Sequence, residues 1–238
     1  MLGFRARVGY TAPVTAVETF PFEFYRMAPE GVSLMVATTV RARGTEADVE
    51  ETFDRSLAAA REMAAAGASV IVLGGASPGF AFGMDRLADA QQAISRDFGI
   101  PVTTALDAQV SALRALGAKR VAVVTPFAAT PTREFARISQ FGFEVVGVGG
   151  GNYSHADFGR VATDAPSHVA RKLVHEHPAA DTIFFPAAHW PAASNVDALE
   201  RELGVNAIAS AQAIVWQALR MCNIDDRVEG YGRLLREH

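Results

Sequence analysis

His189 is the residue in this chain best equipped for proton chemistry. It follows Thr182-Ile183-Phe184-Phe185-Pro186-Ala187-Ala188, an apolar run that stops at small residues. An imidazole titrates near neutral pH and can serve as general acid or base. It can equally line a pocket, cap the next helix or bond a backbone carbonyl without moving a proton. A second apolar run, Val70-Ile71-Val72-Leu73, stops at Gly74-Gly75-Ala76-Ser77. Small residues there let a ligand approach the backbone, and successive N–H groups can form an anion-binding nest to which the Ser77 hydroxyl adds a donor. The structural alternative is a tight turn in which the glycines serve geometry alone. A third run ends at Thr125-Pro126-Phe127, offering a hydroxyl for a carboxylate and an apolar wall. Near the N-terminus, Tyr10-Thr11-Ala12-Pro13 leaves a first strand, so Thr11 or Tyr10, together with Pro13, are candidates to face a ligand. Glu18 follows as a base or as a cap of the segment 17–24.

Other chemistries find little support. His175 and His177 are spaced i, i+2 and face different sides of a helix, so they do not read as a metal pair. The sequence has no HExxH and no GxxxxGK[ST]. Gly147-Val148-Gly149-Gly150-Gly151-Asn152 follows a strand but opens no convincing helix, unlike a dinucleotide fingerprint. No cofactor or metal is expected.

The elements that must position these residues alternate. Strands are expected at 7–10, 32–39, 69–73, 102–104, 120–125, 144–148, 182–185 and 207–209. Helices are expected at 45–66, 84–97, 108–116, 131–141, 167–176, 196–203 and 211–221, with Thr45 as a cap. The run at 69–73 has no polar face, the pattern of a strand buried on both sides of a parallel sheet. Helical crossovers between strands imply parallel sheets with helices on both faces. Phe98-Gly99-Ile100 and Leu203-Gly204-Val205 each lead through a strand into a helix bearing Ala-Leu-Arg. An offset near half the chain argues for duplicated α/β halves rather than a solenoid of ~20–50-residue repeats. The expected fold is therefore α/β, two pseudo-symmetric Rossmann-like halves with a cleft between them. Residues 1–105 plus 211–238 form the first half and 106–210 the second. Ligands of open α/β sheets bind beyond the carboxyl ends of the strands, which places the runs above at one pocket.

The 238 residues are half hydrophobic and one-fifth charged, an ordinary globular composition. A net charge of −4 gives no electrostatic reason to expect nucleic acid or an anionic membrane as partner. No apolar run reaches the ~18–20 residues that span a bilayer, and the first residues lack a signal-peptide core, so a cytoplasmic location is expected. The single cysteine, Cys222, lies in a helical stretch and reads as a part-buried small hydrophobe. Oligomeric state is not legible.

Four stretches together resemble a known family. They are Ala65-Ala66-Gly67-Ala68-Ser69-Val70-Ile71 leading into residues 74–80, Val102-Thr103-Thr104-Ala105 through Leu113-Arg114-Ala115-Leu116-Gly117, Leu199-Glu200-Arg201-Glu202-Leu203-Gly204-Val205, and Glu229-Gly230-Tyr231-Gly232-Arg233-Leu234. In this order and spacing the chain resembles the aspartate/glutamate racemase superfamily, in its arylmalonate decarboxylase and maleate isomerase branch. The resemblance implies a cofactor-free enzyme that binds a small carboxylate through amides and hydroxyls and stabilises an enediolate-like intermediate. In that superfamily two cysteines do the chemistry, and the decarboxylases keep only the second, as proton donor. Gly75 falls on the first of these positions and Ala187 on the second. Ala76 and Ser77 fall on a Thr-Ser anion-binding pair, and Phe127 on a tyrosine. Both cysteines are thus missing, and cysteine-dependent racemisation, isomerisation or decarboxylation is not expected. The resemblance points first to a decarboxylase-like lyase acting on a small carboxylate or related carbonyl compound. His189, a tyrosine or water would then carry the proton, and Gly75, Ala76, Ser77, Thr125, Phe127, Ala187, Ala188, Pro13 and Thr11 would bind substrate. Isomerase, racemase-type or hydrolytic chemistry using His189 or water is the alternative within the superfamily. A non-catalytic small-acid binding protein is the alternative outside it.

Overall fold

The computed structural model of the chain describes residues 2–39, 46–75, 84–129 and 138–238. The expected Thr45 cap and most of the expected helix at 131–141 lie outside them, as do Ala76 and Ser77. The described residues build two four-stranded sheets, every pairing parallel. The first contains β1 (Ala6–Ala12), β2 (Val32–Thr38), β3 (Val70–Leu73) and β4 (Val102–Thr104), in the order β2-β1-β3-β4. The second contains β5 (Arg120–Thr125), β6 (Glu144–Gly150), β7 (Thr182–Phe185) and β8 (Asn206–Ala209), in the order β6-β5-β7-β8. The two orders are one topology used twice, and the repeat seen in the sequence is its linear trace.

The helices are α1 (Thr19–Met27), α2 (Glu46–Ala65), α3 (Met84–Phe98), α4 (Ala105–Ala115), α5 (Ala165–Glu176), α6 (Val196–Leu203), α7 (Ser210–Met221) and α8 (Gly232–Glu237). Two compact units result. One comprises Met1–Val17, Ala28–Asp107 and Ala218–Asp225, and the other Glu18–Met27, Ala108–Gln217 and Asp226–His238.

Each unit has its own apolar interior. In the first, Phe53, Ala60 and Met63 of α2 and Leu87 and Ile94 of α3 pack with Ile71 and Leu73 of β3. Residues on β3 are all buried, as its lack of a polar face requires. In the second, Val121, Val123, Ile183, Phe184, Phe185 and Ile208 are buried along the sheet, with Leu199 of α6 and Ile214 of α7 among the buried helical residues. Helix α2 closes with Ala68 N–H donating to the Met63 carbonyl at 3.0 Å, and α4 closes likewise with Ala118 onto Leu113 at 3.0 Å. Among the described residues no helix is long and apolar enough to cross a membrane.

Helix α1 is absent from the sequence-based expectation. Pro21 falls in its first turn, where no intrahelical N–H is required. Phe20, Glu23, Phe24 and Met27 form its buried stripe, at the 3–4-residue spacing of one helix face.

Candidate functional site

Each sheet reverses its strand order between its first and third strands, and such a switch point is where open α/β sheets bind ligands. The candidate residues cluster at those two places. In the first unit β1 and β3 are neighbours, with Thr11 opposite Leu73. In the second β5 and β7 are neighbours, so Thr125 and Pro186 leave adjacent strands.

At the first switch point Thr11 is buried and its Oγ1 accepts the Gly74 N–H at 3.1 Å. That hydroxyl therefore spends an acceptor site on holding the β3 exit and keeps its own proton to donate. Gly74 carries no side chain for a steric reason: a β-carbon there would run into the Thr11 carbonyl oxygen and lie 2.9 Å from the Tyr10 ring. Tyr10 is fully buried, and burial pushes its hydroxyl pKa upward. Gly75 adopts φ +82°, in the left-handed region, and a β-carbon on it would lie 2.9 Å from Cγ of Pro13. Thr11, Pro13, Gly74 and Gly75 are thus brought together. Gly75→Cys combines a left-handed conformation that costs an L-residue ~1–2 kcal/mol with a contact against a rigid ring. Chemical denaturation is expected to find the variant destabilised by roughly 2–3 kcal/mol, and a loss under about 0.5 kcal/mol would show that the turn relaxes to admit a side chain.

At the second switch point Thr125 is buried, and its Oγ1 lies 3.4 Å from the Phe127 N–H that points to it. The segment after β6 is stitched onto this strand end by Gly151 N–H to the Thr125 carbonyl (3.0 Å) and Tyr153 N–H to the Pro126 carbonyl (2.8 Å). Phe127 packs on Phe158, with ring centroids 5.9 Å apart. Beyond β7, Gln109 of α4 donates to the Pro186 carbonyl at 3.1 Å and to Ser210 Oγ at 2.6 Å. A buried amide thereby sets where the chain leaves the sheet. Residues 187–190 then turn, with Trp190 N–H reaching the Ala187 carbonyl at 3.4 Å. Ala188 is buried, and His189 is only 5 % exposed with its ring edge-on to Phe20, 6.2 Å between centroids. Trp190 is fully buried against Phe185 and Tyr153. Thr125, Phe127, Ala187, Ala188 and His189 therefore occupy neighbouring strand exits within one unit.

Two placements depart from what the residue types alone offered. Glu18 is exposed, whereas Glu23, one turn further along α1, is 1 % exposed. Glu23 Oε1 accepts the Ala193 N–H at 2.9 Å and the Ser194 N–H at 3.4 Å, while Oε2 is buried without a hydrogen-bond partner among the described residues. Burial drives its pKa from an ordinary 4.5 up to about 8, against the opposing pull of those two amides. The clue in the sequence was a carboxyl inside the Phe20-Phe24-Met27 stripe. Cys222 lies just past the end of α7, half-buried, and desolvation raises its thiol pKa. It stands at no strand exit.

The arylmalonate decarboxylase family model matches residues 10–235. The chain belongs to the arylmalonate decarboxylase family. Arylmalonate decarboxylase of Bordetella bronchiseptica is 28% identical over 206 residues, covering 84% of this chain and 82% of the relative. A crystal structure of arylmalonate decarboxylase superposes with a TM-score of 0.79 at 26% identity, covering 96% of this chain and 98% of the other. A cysteine-to-alanine variant of the maleate isomerase Iso from Pseudomonas putida, solved with maleate, has a TM-score of 0.84 at 23% identity and 97% coverage of both chains, a likeness of fold. These relatives are enzymes, a decarboxylase and an isomerase. The α/β fold with paired parallel sheets is theirs as well.

Proposed function

We propose that this protein is a cofactor-independent lyase that decarboxylates a small malonate-type acid with His189 in place of a cysteine as proton donor. The observation that carries the reading is the position of His189, two residues past Ala187 at a β7 exit, in a chain whose one cysteine stands at no strand exit. The substrate's retained carboxylate binds the amides at Gly75, Ala76 and Ser77 and the hydroxyls of Ser77, Thr11 and Thr125. Pro13, Phe127, Ala187 and Ala188 supply the walls. Breaking the bond to the departing carboxylate releases CO2 and leaves its electron pair on the α-carbon, delocalised into the retained carboxylate. Amide and hydroxyl donors already in place stabilise that charge better than water, which would have to reorient. The His189 imidazolium then delivers its proton to the α-carbon and is reprotonated from solvent.

The experiment is incubation with phenylmalonic, alkylmalonic, maleic and aspartic acids, with CO2 and products followed by NMR. Decarboxylation of a malonate is the expected result. Interconversion of maleate or of aspartate enantiomers without CO2 release would replace this reading with an isomerase. Tight binding of an acid with no turnover of any would replace it with a small-acid binding protein, a reading favoured by the same two positions, Gly75 and Ala187, that lack cysteine.

A further inference from the structure

The mechanism above makes no use of Glu23, although a carboxyl with 1 % exposure is among the least expected groups in this unit. Its surroundings explain its presence. The chain from Ala187 to Asn195 is a compact turn held by its own bonds, Ala192 N–H to the Trp190 carbonyl at 2.7 Å and Asn195 N–H to the Ala192 carbonyl at 3.0 Å. The turn rests on α1 at two points. His189 lies edge-on to Phe20, and three residues along the same helix face Glu23 receives the amides of Ala193 and Ser194. Both ends of the segment presenting His189 are therefore referenced to one rigid helix.

We propose that Glu23 is a positioning residue for the Ala187–His189 exit, acting as a neutral carboxylic acid whose carbonyl oxygen anchors the amides of Ala193 and Ser194. A neutral acid suits the place, since an ionised one would put a charge on an Oε2 that is buried with no hydrogen-bond partner among the described residues. Ionisation would draw Oε2 toward any available donor and disturb the turn. The other titratable or charged groups on the elements meeting here are Glu18 just before α1, Tyr25 and Arg26 on α1, His189 in the turn, and Asp197, Glu200, Arg201 and Glu202 on α6. Arg26 donates to the Tyr231 hydroxyl at 3.4 Å, and Asp197 is ion-paired with Arg236 at 3.1 Å. His189 and Glu200, whose carboxyl pKa burial also raises, are the competitors for such a transition.

The inference rests on the proposed function only for its catalytic consequence, so its primary test needs no substrate. The chain has two tryptophans, Trp190 inside the turn and Trp216 on α7. In protein labelled with 5-fluorotryptophan and assigned through Trp216→Phe, the Trp190 19F resonance is expected to titrate near pH 8 while the Trp216 resonance stays. Glu23→Gln, which keeps the accepting oxygen and cannot ionise, is expected to abolish the titration with the neutral-pH position retained. Glu23→Leu is expected to displace the Trp190 resonance already at about pH 6. A titration surviving in Glu23→Gln belongs to another group and overturns the proposal, as does a Trp190 resonance identical in all three proteins. On a malonate that turns over, Glu23→Gln should retain kcat within threefold at neutral pH, while Glu23→Leu lowers kcat more than tenfold with KM within threefold. Absence of turnover in the natural protein would end the lyase reading and leave the 19F result to decide this one.

Discussion

His189→Gln is expected to lower kcat on a decarboxylated malonate by ~10²–10⁴-fold, the range that general acid catalysis supplies. Glutamine preserves bulk and one hydrogen-bonding end of the imidazole but cannot deliver a proton to carbon. A hundredfold loss corresponds to about 2.7 kcal/mol of transition-state stabilisation. The proton step is the one affected, so product-acid binding by calorimetry should change less than threefold. Cys222→Ser is the matching control. Its thiol is half-buried and raised in pKa by desolvation, so little thiolate forms, and turnover should stay within twofold of the natural protein. Iodoacetamide should likewise leave activity intact. Unchanged turnover in His189→Gln would remove this histidine as the acid, and loss on alkylation of Cys222 would return the chemistry to a thiol.

The second large effect is on stability. Glu23 has its pKa raised from 4.5 to about 8 by burial. A raised carboxyl pKa means that the folded state holds a proton the unfolded chain has released. The protein is therefore most favoured below pH 4.5 with respect to this group, and the advantage is lost as pH rises through about 8. Each tenfold difference in proton affinity between the folded and unfolded chain is worth about 1.36 kcal/mol. The full span is then on the order of 4–5 kcal/mol, of which about 3 kcal/mol falls between roughly pH 6 and pH 9. Urea unfolding at those two pH values should show the natural protein losing about that much more than Glu23→Gln. Equal losses in the two proteins would mean that Glu23 is already ionised in the folded state at the lower pH.

Much of the architecture was legible because it is local. The runs at residues 70–73 and 182–185 are apolar without alternation, and that is the mark of strands covered on both faces. Gly75 and Ala187 were recognisable as matching strand exits because the repeat carries them at corresponding points. Helix α1 was not legible. Its exposed Phe22 and Tyr25 blur the contrast between faces, and Pro21 reads as a break until its place in the first turn is known. Glu23 was overlooked for a related reason. Its partners lie 170 and 171 residues further along the chain, and no window around a residue contains that information.

The sequence by itself determined that two β-to-loop exits end in small residues, that neither carries a cysteine, and that a histidine stands close behind one of them. Those are properties of residue type and spacing, readable from neighbours in the chain. Tertiary structure decided that each exit lies at a switch point beside another strand's end, that Pro13 closes the space next to Gly75, and that Glu23 is buried, which raises its carboxyl pKa. Steric closure and desolvation arise from atoms that folding brings in from distant parts of the chain, so they exist only once the strands have crossed over and the helices have docked.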